Sequence, residues 1–190
     1  MRALALAVVA TTACGDPVWT GAYQGDPLLT LDCALAPELQ ALELRASRVG
    51  LVWLGADGAR FAGDVDDEGV FPRFRVRVYA AAPAAARVFD SDDGRVAYGQ
   101  LIVYDDGDGD GRFAPEREPI RGVSRGLVIV DAADGATFDG LDPLPVGLHA
   151  LAAERCTEAR GAPFTASAPD DCRLDRATPD AFFDPACPWP

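Results

Sequence analysis

Residues 73–80 read Arg73-Phe74-Arg75-Val76-Arg77-Val78-Tyr79-Ala80. Phe74, Val76, Val78 and Ala80 alternate with Arg73, Arg75, Arg77 and Tyr79 without a break. A period of two places the apolar set on one face of an extended chain and the polar set on the other, so this is a half-buried strand. The arginine row invites an anion-binding reading. The plainer reading is a solvated strand face balanced by acidic neighbours, as one-sided sheets normally show.

The same test applied outward finds more strands. Arg48–Leu54 (RVGLVWL) is a short apolar run, and Val96–Tyr104 (VAYGQLIVY) is rich in β-branched and aromatic residues. Gly126–Val130 (GLVIV) and Val146–Leu151 (VGLHAL) follow, and Leu28–Leu31 opens the series. Turn signals such as Asp57-Gly58, Asp93-Gly94, Asp134-Gly135 and Asp139-Gly140 lie between them. No amphipathic helix of twelve or more residues is visible. Pro83–Val88 has room for one helical turn, and Pro37–Ala46 suits helix and strand equally. Six or seven short strands without helices indicate an all-β chain, a sandwich or small barrel. The acidic stretches Asp64, Asp66, Asp67, Glu68 and Asp90, Asp92, Asp93 read as solubilising loops.

The chain has 190 residues and a net charge of −13. That size suits one domain. Its acidity excludes nucleic acid as a natural partner, because neutralising phosphates needs a basic face. Lysine is absent, and His149 is the lone histidine. A lysine nucleophile, a histidine pair and a zinc site built on two histidines are thereby excluded.

At the N-terminus, Met1-Arg2 precedes the apolar run Ala3–Ala10, small residues Thr11-Thr12-Ala13, and then Cys14-Gly15-Asp16. That is the layout of a secretory signal over residues 1–13. The run is too short to span a bilayer. Cys14 after small residues resembles the lipobox of bacterial lipoproteins, although Thr11 stands where leucine is usual. The resemblance implies acylation of Cys14 and a membrane anchor, each buried CH₂ contributing about 0.8 kcal/mol. Ordinary cleavage after Ala13 is the alternative. Residues 14–27 read as a linker. Four cysteines remain: Cys33, Cys156, Cys172 and Cys187. An even count in an exported chain suggests two disulfides, with three connectivities open. Residues 156–190, rich in Pro and Asp, read as an irregular tail tied down by those cross-links.

Residues 105–111 read DDGDGDG. Asp106, Asp108 and Asp110 occupy positions 1, 3 and 5 of a calcium loop, and Gly111 position 6. Ca²⁺ takes six to eight oxygens, and alternate carboxylates on a tightly turning chain can converge on one. Glycine permits the sharp turn. Arg112 would offer its backbone carbonyl from position 7. Position 12 is Arg117 instead of a bidentate glutamate; Glu118 is the first choice for the last carboxylate, Glu116 the second. A bare acidic turn is the alternative reading. A strand, not a helix, leads into the loop, so this is no EF-hand. The stretch Tyr104–Val130, with Glu118-Pro119, Ile120 and Gly122-Val123 after the loop, resembles the B-repeat domains of bacterial surface adhesins. Those are prealbumin-like β-sandwiches with a calcium loop at this place. The resemblance implies Ca²⁺ here and an antiparallel β-sandwich of about seven strands (immunoglobulin- or prealbumin-like) over residues 28–155, with its acidic loop at 105–118. Cys14-Gly15-Asp16, Phe71-Pro72 before the alternating strand, and Gly99–Tyr104 running into the loop also make the chain similar to lipoproteins of high-GC Gram-negative bacteria.

Gly122-Val123-Ser124-Arg125-Gly126 matches the hydrolase pattern G-x-S-x-G, and His149 lies downstream. That pattern requires a helix after the serine and whole βα units before the histidine. Here GLVIV, a strand, follows. The expectation is therefore a non-enzyme: an exported, membrane-anchored lipoprotein of the cell envelope, periplasmic or facing the outer membrane, with a structural or interaction role and an envelope protein or glycan as partner. A carbohydrate- or peptide-binding module is the alternative, with Trp19 and Trp189 as exposed candidates and Trp53 as core. A serine hydrolase using Ser124 and His149 is the remote one.

Overall fold

A computed structural model describes residues 25–44, 46–91, 94–138, 142–153, 164–165 and 172–178. The signal segment, Cys14, Trp19, Cys156, Cys187 and Trp189 lie outside the described residues. So do Asp92, Asp93, Asp139 and Gly140. The strands are β1 (Leu29–Leu35), β2 (Ser47–Leu54), β3 (Arg60–Gly63), β4 (Val65–Val70), β5 (Arg73–Val78), β6 (Phe89–Ser91) and β7 (Gly94–Asp105). Then come β8 (Ile120–Ser124), β9 (Leu127–Ala132), β10 (Gly147–Ala153), β11 (Phe164–Thr165) and β12 (Cys172–Arg176). One short helix, α1 (Pro37–Gln40), follows β1. A 3₁₀ turn at Ala84–Ala86 fills the helical turn expected in that region. Among the described residues no helix is long and apolar enough to cross a membrane.

The chain is all-β, but the seven-stranded antiparallel sandwich is not what forms. The strands share one mixed sheet, curled until it nearly closes like a barrel. The cause is β7. It spans twelve residues, enough to carry different partners along each edge. One edge pairs with β2 and, near its start, β6. The other pairs with β9 along Val96–Gly99 and with β8 along Ile102–Tyr104. From β8 the sheet continues through β12, β1, β5 and β4. Beyond β9 it continues through β10 and β11. β4 returns to lie beside β2, which brings the far edge back to the start.

Two cores result, one on each face of β2 and β7. The first gathers Leu51, Trp53, Val76, Val78, Leu101, Val103, Ile129 and Leu174 inside the curl. The second gathers Val52, Tyr98, Ile102, Tyr104, Val123, Val128 and Val130 on the other face. Strands buried on both faces read as unbroken apolar runs, which is why RVGLVWL and VAYGQLIVY do not alternate. Gly99 interrupts the second run for a steric reason. It faces Trp53 across the β2–β7 pair, and a Cβ there would stand 2.7 Å from the indole ring.

β5 forms as its alternation requires, with Phe74, Val76 and Val78 buried. Its arginine row is the balanced, solvated face that was expected. Arg75 donates to Asp32 on β1 (Nε to Oδ1, 2.7 Å), and Arg77 pairs with Glu68 on β4. The Asp64–Glu68 region is therefore corrected from a loop to the strand β4 from Val65 on, whose Asp66 and Glu68 stand opposite Arg77 and Arg75 of β5 in register.

The tail is also corrected in part. Cys172–Arg176 is a strand, inserted between β8 and β1, parallel to β1 and antiparallel to β8. Leu174 has no exposure at all. The alternation of Cys172 and Leu174 with Arg173 and Asp175 is too short to stand out beside the prolines. Cys33 and Cys172 are register partners across β1 and β12 and form a disulfide. It closes the longest of the loops that the four-cysteine set permits for Cys172.

Candidate metal centre

The loop from Asp106 to Pro119 joins β7 to β8, and its ends are tied by the backbone. The Asp105 N–H donates to the Pro119 carbonyl (3.1 Å), and the Asp106 N–H to the Ala46 carbonyl (3.0 Å). Arg121 and Ser47 both donate to the Asp105 carboxylate, at 2.7 and 2.9 Å. The Arg121 hydrogen bond holds the Asp105 carboxyl below the usual carboxylate range. Asp105 is thereby an anchor of the loop.

Inside the loop, Asp106 is 7% exposed and organises the turn. Its Oδ1 accepts from the Gly109 N–H (2.8 Å) and its Oδ2 from the Gly111 N–H (3.1 Å). Gly111 takes φ 72°, the left-handed backbone the spacing called for. Glu118, equally buried, draws the two ends of the loop together. It accepts from Gly107 N–H (Oε1, 3.1 Å) and Ala114 N–H (Oε2, 2.7 Å). Phe113 is the loop's apolar foot. Its ring lies 5.2 Å from that of Tyr104, over the second core. Burial, together with the charges of Asp106 and Glu118, pushes the Tyr104 phenol up to about 12.

Asp106, Asp108 and Glu118 each present a carboxylate oxygen to one point, all three within 4.8 Å of one another. An all-oxygen set of this kind suits a hard divalent cation. The structure joins to this group Glu118 and not Glu116, whose side chain is exposed. Asp110 is exposed, lies outside the three, and its Oδ1 accepts from the Arg112 N–H (2.7 Å). Two cations attend the cluster that its motif did not announce. Arg48, from β2, lies 3.5 Å from Asp106 (Nε to Oδ2), and Arg117 lies 3.7 Å from Asp108 (Nη2 to Oδ2). Finding Arg48 needs the β2–β7 register, which pairs it with Tyr104. The signal for Phe113 was present: an aromatic residue inside a polar loop.

The G-x-S-x-G stretch has a structural explanation. β8 and β9 run along the same edge of β7 but not continuously. β7 advances three residues from Gly99 to Ile102, while the facing chain uses six from Val123 to Ile129. The sheet forks at this break. Ser124, fully buried, bridges it: its hydroxyl accepts from the Leu101 N–H and donates to the Leu127 carbonyl, both at 3.1 Å. Gly126, at φ 74°, makes the turn. His149 sits on β10 with Nε2 2.7 Å from the Pro145 carbonyl. No family model, no curated protein and no solved structure matches the chain.

Proposed function

We propose that the protein is a cell-envelope lipoprotein, anchored through Cys14, whose curled β-sheet carries a structural Ca²⁺ in the loop 105–118. The convergence of Asp106, Asp108 and Glu118 carries this reading. Asp106 and Glu118 already fix the loop backbone, and Phe113 presses the loop onto the second core. A cation that offsets the mutual repulsion of the three carboxylates therefore also secures the cover of that core. Calcium is preferred over magnesium because Asp106, Asp108 and Asp110 with Gly111 have the spacing of a calcium loop. The role this supports is structural or interactive, not catalytic. Ser124 is spent on backbone groups, which weighs against the hydrolase alternative. The reading is tested by thermal unfolding in Ca²⁺ and in chelator. The midpoint rises with Ca²⁺, and Asp108→Ala abolishes the rise; no shift at millimolar Ca²⁺ refutes it.

A second reading, a module for carbohydrate or peptide ligands, draws on one observation. An open hollow of about 660 Å³ lies beside the disulfide, lined by Asp32, Glu68, Arg73 and Arg75 with Phe74. Its mixed charges suit polar ligands, and glycan-array or peptide-array binding that is lost in Arg73→Ala tests it.

A further inference from the structure

On the face of β4, β5 and β1 turned away from the curl, each arginine of β5 has its own cross-strand row. Arg77 stands between Asp66 and Thr30, and it pairs with Glu68. Arg75 stands between Glu68 and Asp32, and the Asp32 carboxylate accepts from it twice, at 2.7 and 3.3 Å. Arg73 stands between Val70 and Ala34, so its row supplies no carboxylate. It is exposed, and among the described residues no acidic group pairs with it. One strand further, Arg173 of β12 is the register partner of Ala34 on its other side. Its half-exposed guanidinium is turned along β12 to Asp175 (Nε to Oδ1, 3.4 Å). The open hollow of about 660 Å³ lies here, with Ala34 and Arg73 in its lining and the carboxylates of Asp32 and Glu68 beside them. At Ala34 a methyl group stands where, in the neighbouring row, Asp32 reaches out to its arginine.

We infer that this hollow binds the anionic group of an acidic sugar, a carboxylate or a phosphate, on Arg73, with Arg173 turning in from across Ala34. The inference rests on the reading of the hollow as a ligand module and names its ligand class. A guanidinium offers a planar fork of donors that meets carboxylate or phosphate oxygens two at a time. Within the β5 row, Arg75 is held by Asp32 and Arg77 by Glu68, which leaves Arg73 as the cation open to a ligand. A hollow of this volume takes more than a bare ion. Asp32 and Glu68 retain acceptor capacity beyond their arginines, and that suits sugar hydroxyls. An extended peptide would need a free strand edge, and β1 and β5 beneath the hollow are paired along both edges.

The test is an NMR amide-shift titration of the purified protein at low salt, where exposed charges are least screened. The probes are glucuronic acid, glucose 6-phosphate and neutral glucose, which share a ring and differ in the charged group. The proteins are wild type, Arg73→Gln, Ala34→Leu, Arg173→Gln and, as a control with the same charge change far from the hollow, Arg95→Gln. The acidic sugars move the amides of β1 and β5 and bind about tenfold tighter than glucose, the size of a charge-assisted hydrogen bond. Arg73→Gln, which removes the cation, and Ala34→Leu, which fills the hollow, each weaken that binding about tenfold. Arg173→Gln weakens it about threefold, and Arg95→Gln leaves it within about twofold of wild type. Tighter binding of glucuronic acid assigns the carboxylate, and tighter binding of glucose 6-phosphate the phosphate. Binding of the acidic sugars that survives Arg73→Gln, or glucose bound as tightly as they are, overturns the inference while leaving a module for other ligands. If no acidic sugar moves these amides the anionic class is wrong, and if the glycan and peptide arrays are blank as well, the module reading falls with it.

Discussion

Replacing Cys33 and Cys172 together by alanine removes the staple between β1 and β12. The two residues are 139 apart in sequence with Cα atoms 4.5 Å from each other. In the chain-entropy account, closing a loop of that length stabilises the native state by about 5 kcal/mol. For a domain of this size each kcal/mol moves the unfolding midpoint by about 2–4 °C. The expected loss is therefore about 10–20 °C. Both sulfurs are buried, so the small cavity left behind adds to the loss. The assay is far-UV circular dichroism on heating, with peptide mapping of the unreduced protein. A pairing of Cys172 with Cys187 would close only a 15-residue loop and contribute about 3 kcal/mol. A drop under about 4 °C, or a map linking Cys33 to Cys156 or Cys187, refutes the reasoning.

Other consequences follow from the fork, the core and two carboxylates. Ser124→Ala orphans the buried Leu101 N–H and Leu127 carbonyl and costs about 2–3 kcal/mol in urea unfolding; a change within 0.5 kcal/mol would remove the bridging role. Gly99→Ala drives a Cβ into the Trp53 ring, costs about 1–3 kcal/mol and shifts Trp53 fluorescence; a neutral substitution would mean the core is looser than described. Asp67 and Asp105 respond to pH with opposite signs. The Asp67 carboxyl is raised in the fold by its partial burial, so its ionised form weakens the protein above that raised value, and the penalty is relieved as pH falls through it. Asp67→Asn therefore raises the melting point at pH 7 more than at pH 4, and the reverse order would contradict its placement. The Asp105 carboxyl is lowered, so its stabilisation is present above the ordinary carboxylate range and fades as pH falls through the depressed value. Asp105→Asn accordingly loses melting temperature at pH 7 and little near pH 2.

The strands that could be read from sequence were those with a strong local pattern. Arg73–Val78 alternates over its whole length, and Ser47–Leu54 and Gly94–Asp105 are apolar enough to stand out unaided. Reading those last two as unbroken runs hinted at burial on both faces without saying which partners cover them. The missed strands are those whose reason lies elsewhere in the chain. β4 carries Asp66, Asp67 and Glu68, and only the arginines of β5 across from it make that composition a strand. β12 is five residues between prolines, and it takes its place from β1, β8 and Cys33. The curled sheet, in place of two layers, follows from β7 serving two partners along one edge, and no local signal reports that. At the candidate site, Asp106 and Asp108 were legible because ligand spacing is a local property. Asp110 has the right spacing but turns to the Arg112 N–H, and Arg48 was hidden in a strand assigned to the core.

The most direct test of the account is calorimetric titration of chelator-treated protein with Ca²⁺, alongside Asp106→Asn. Asp106 is buried, lies within the converging group and stands at the first position of the loop motif. The account predicts one Ca²⁺ per chain in the wild type, and no binding in Asp106→Asn, whose far-UV spectrum stays that of the β-sheet protein. Absence of binding in the wild type, or binding that survives the substitution, would contradict it.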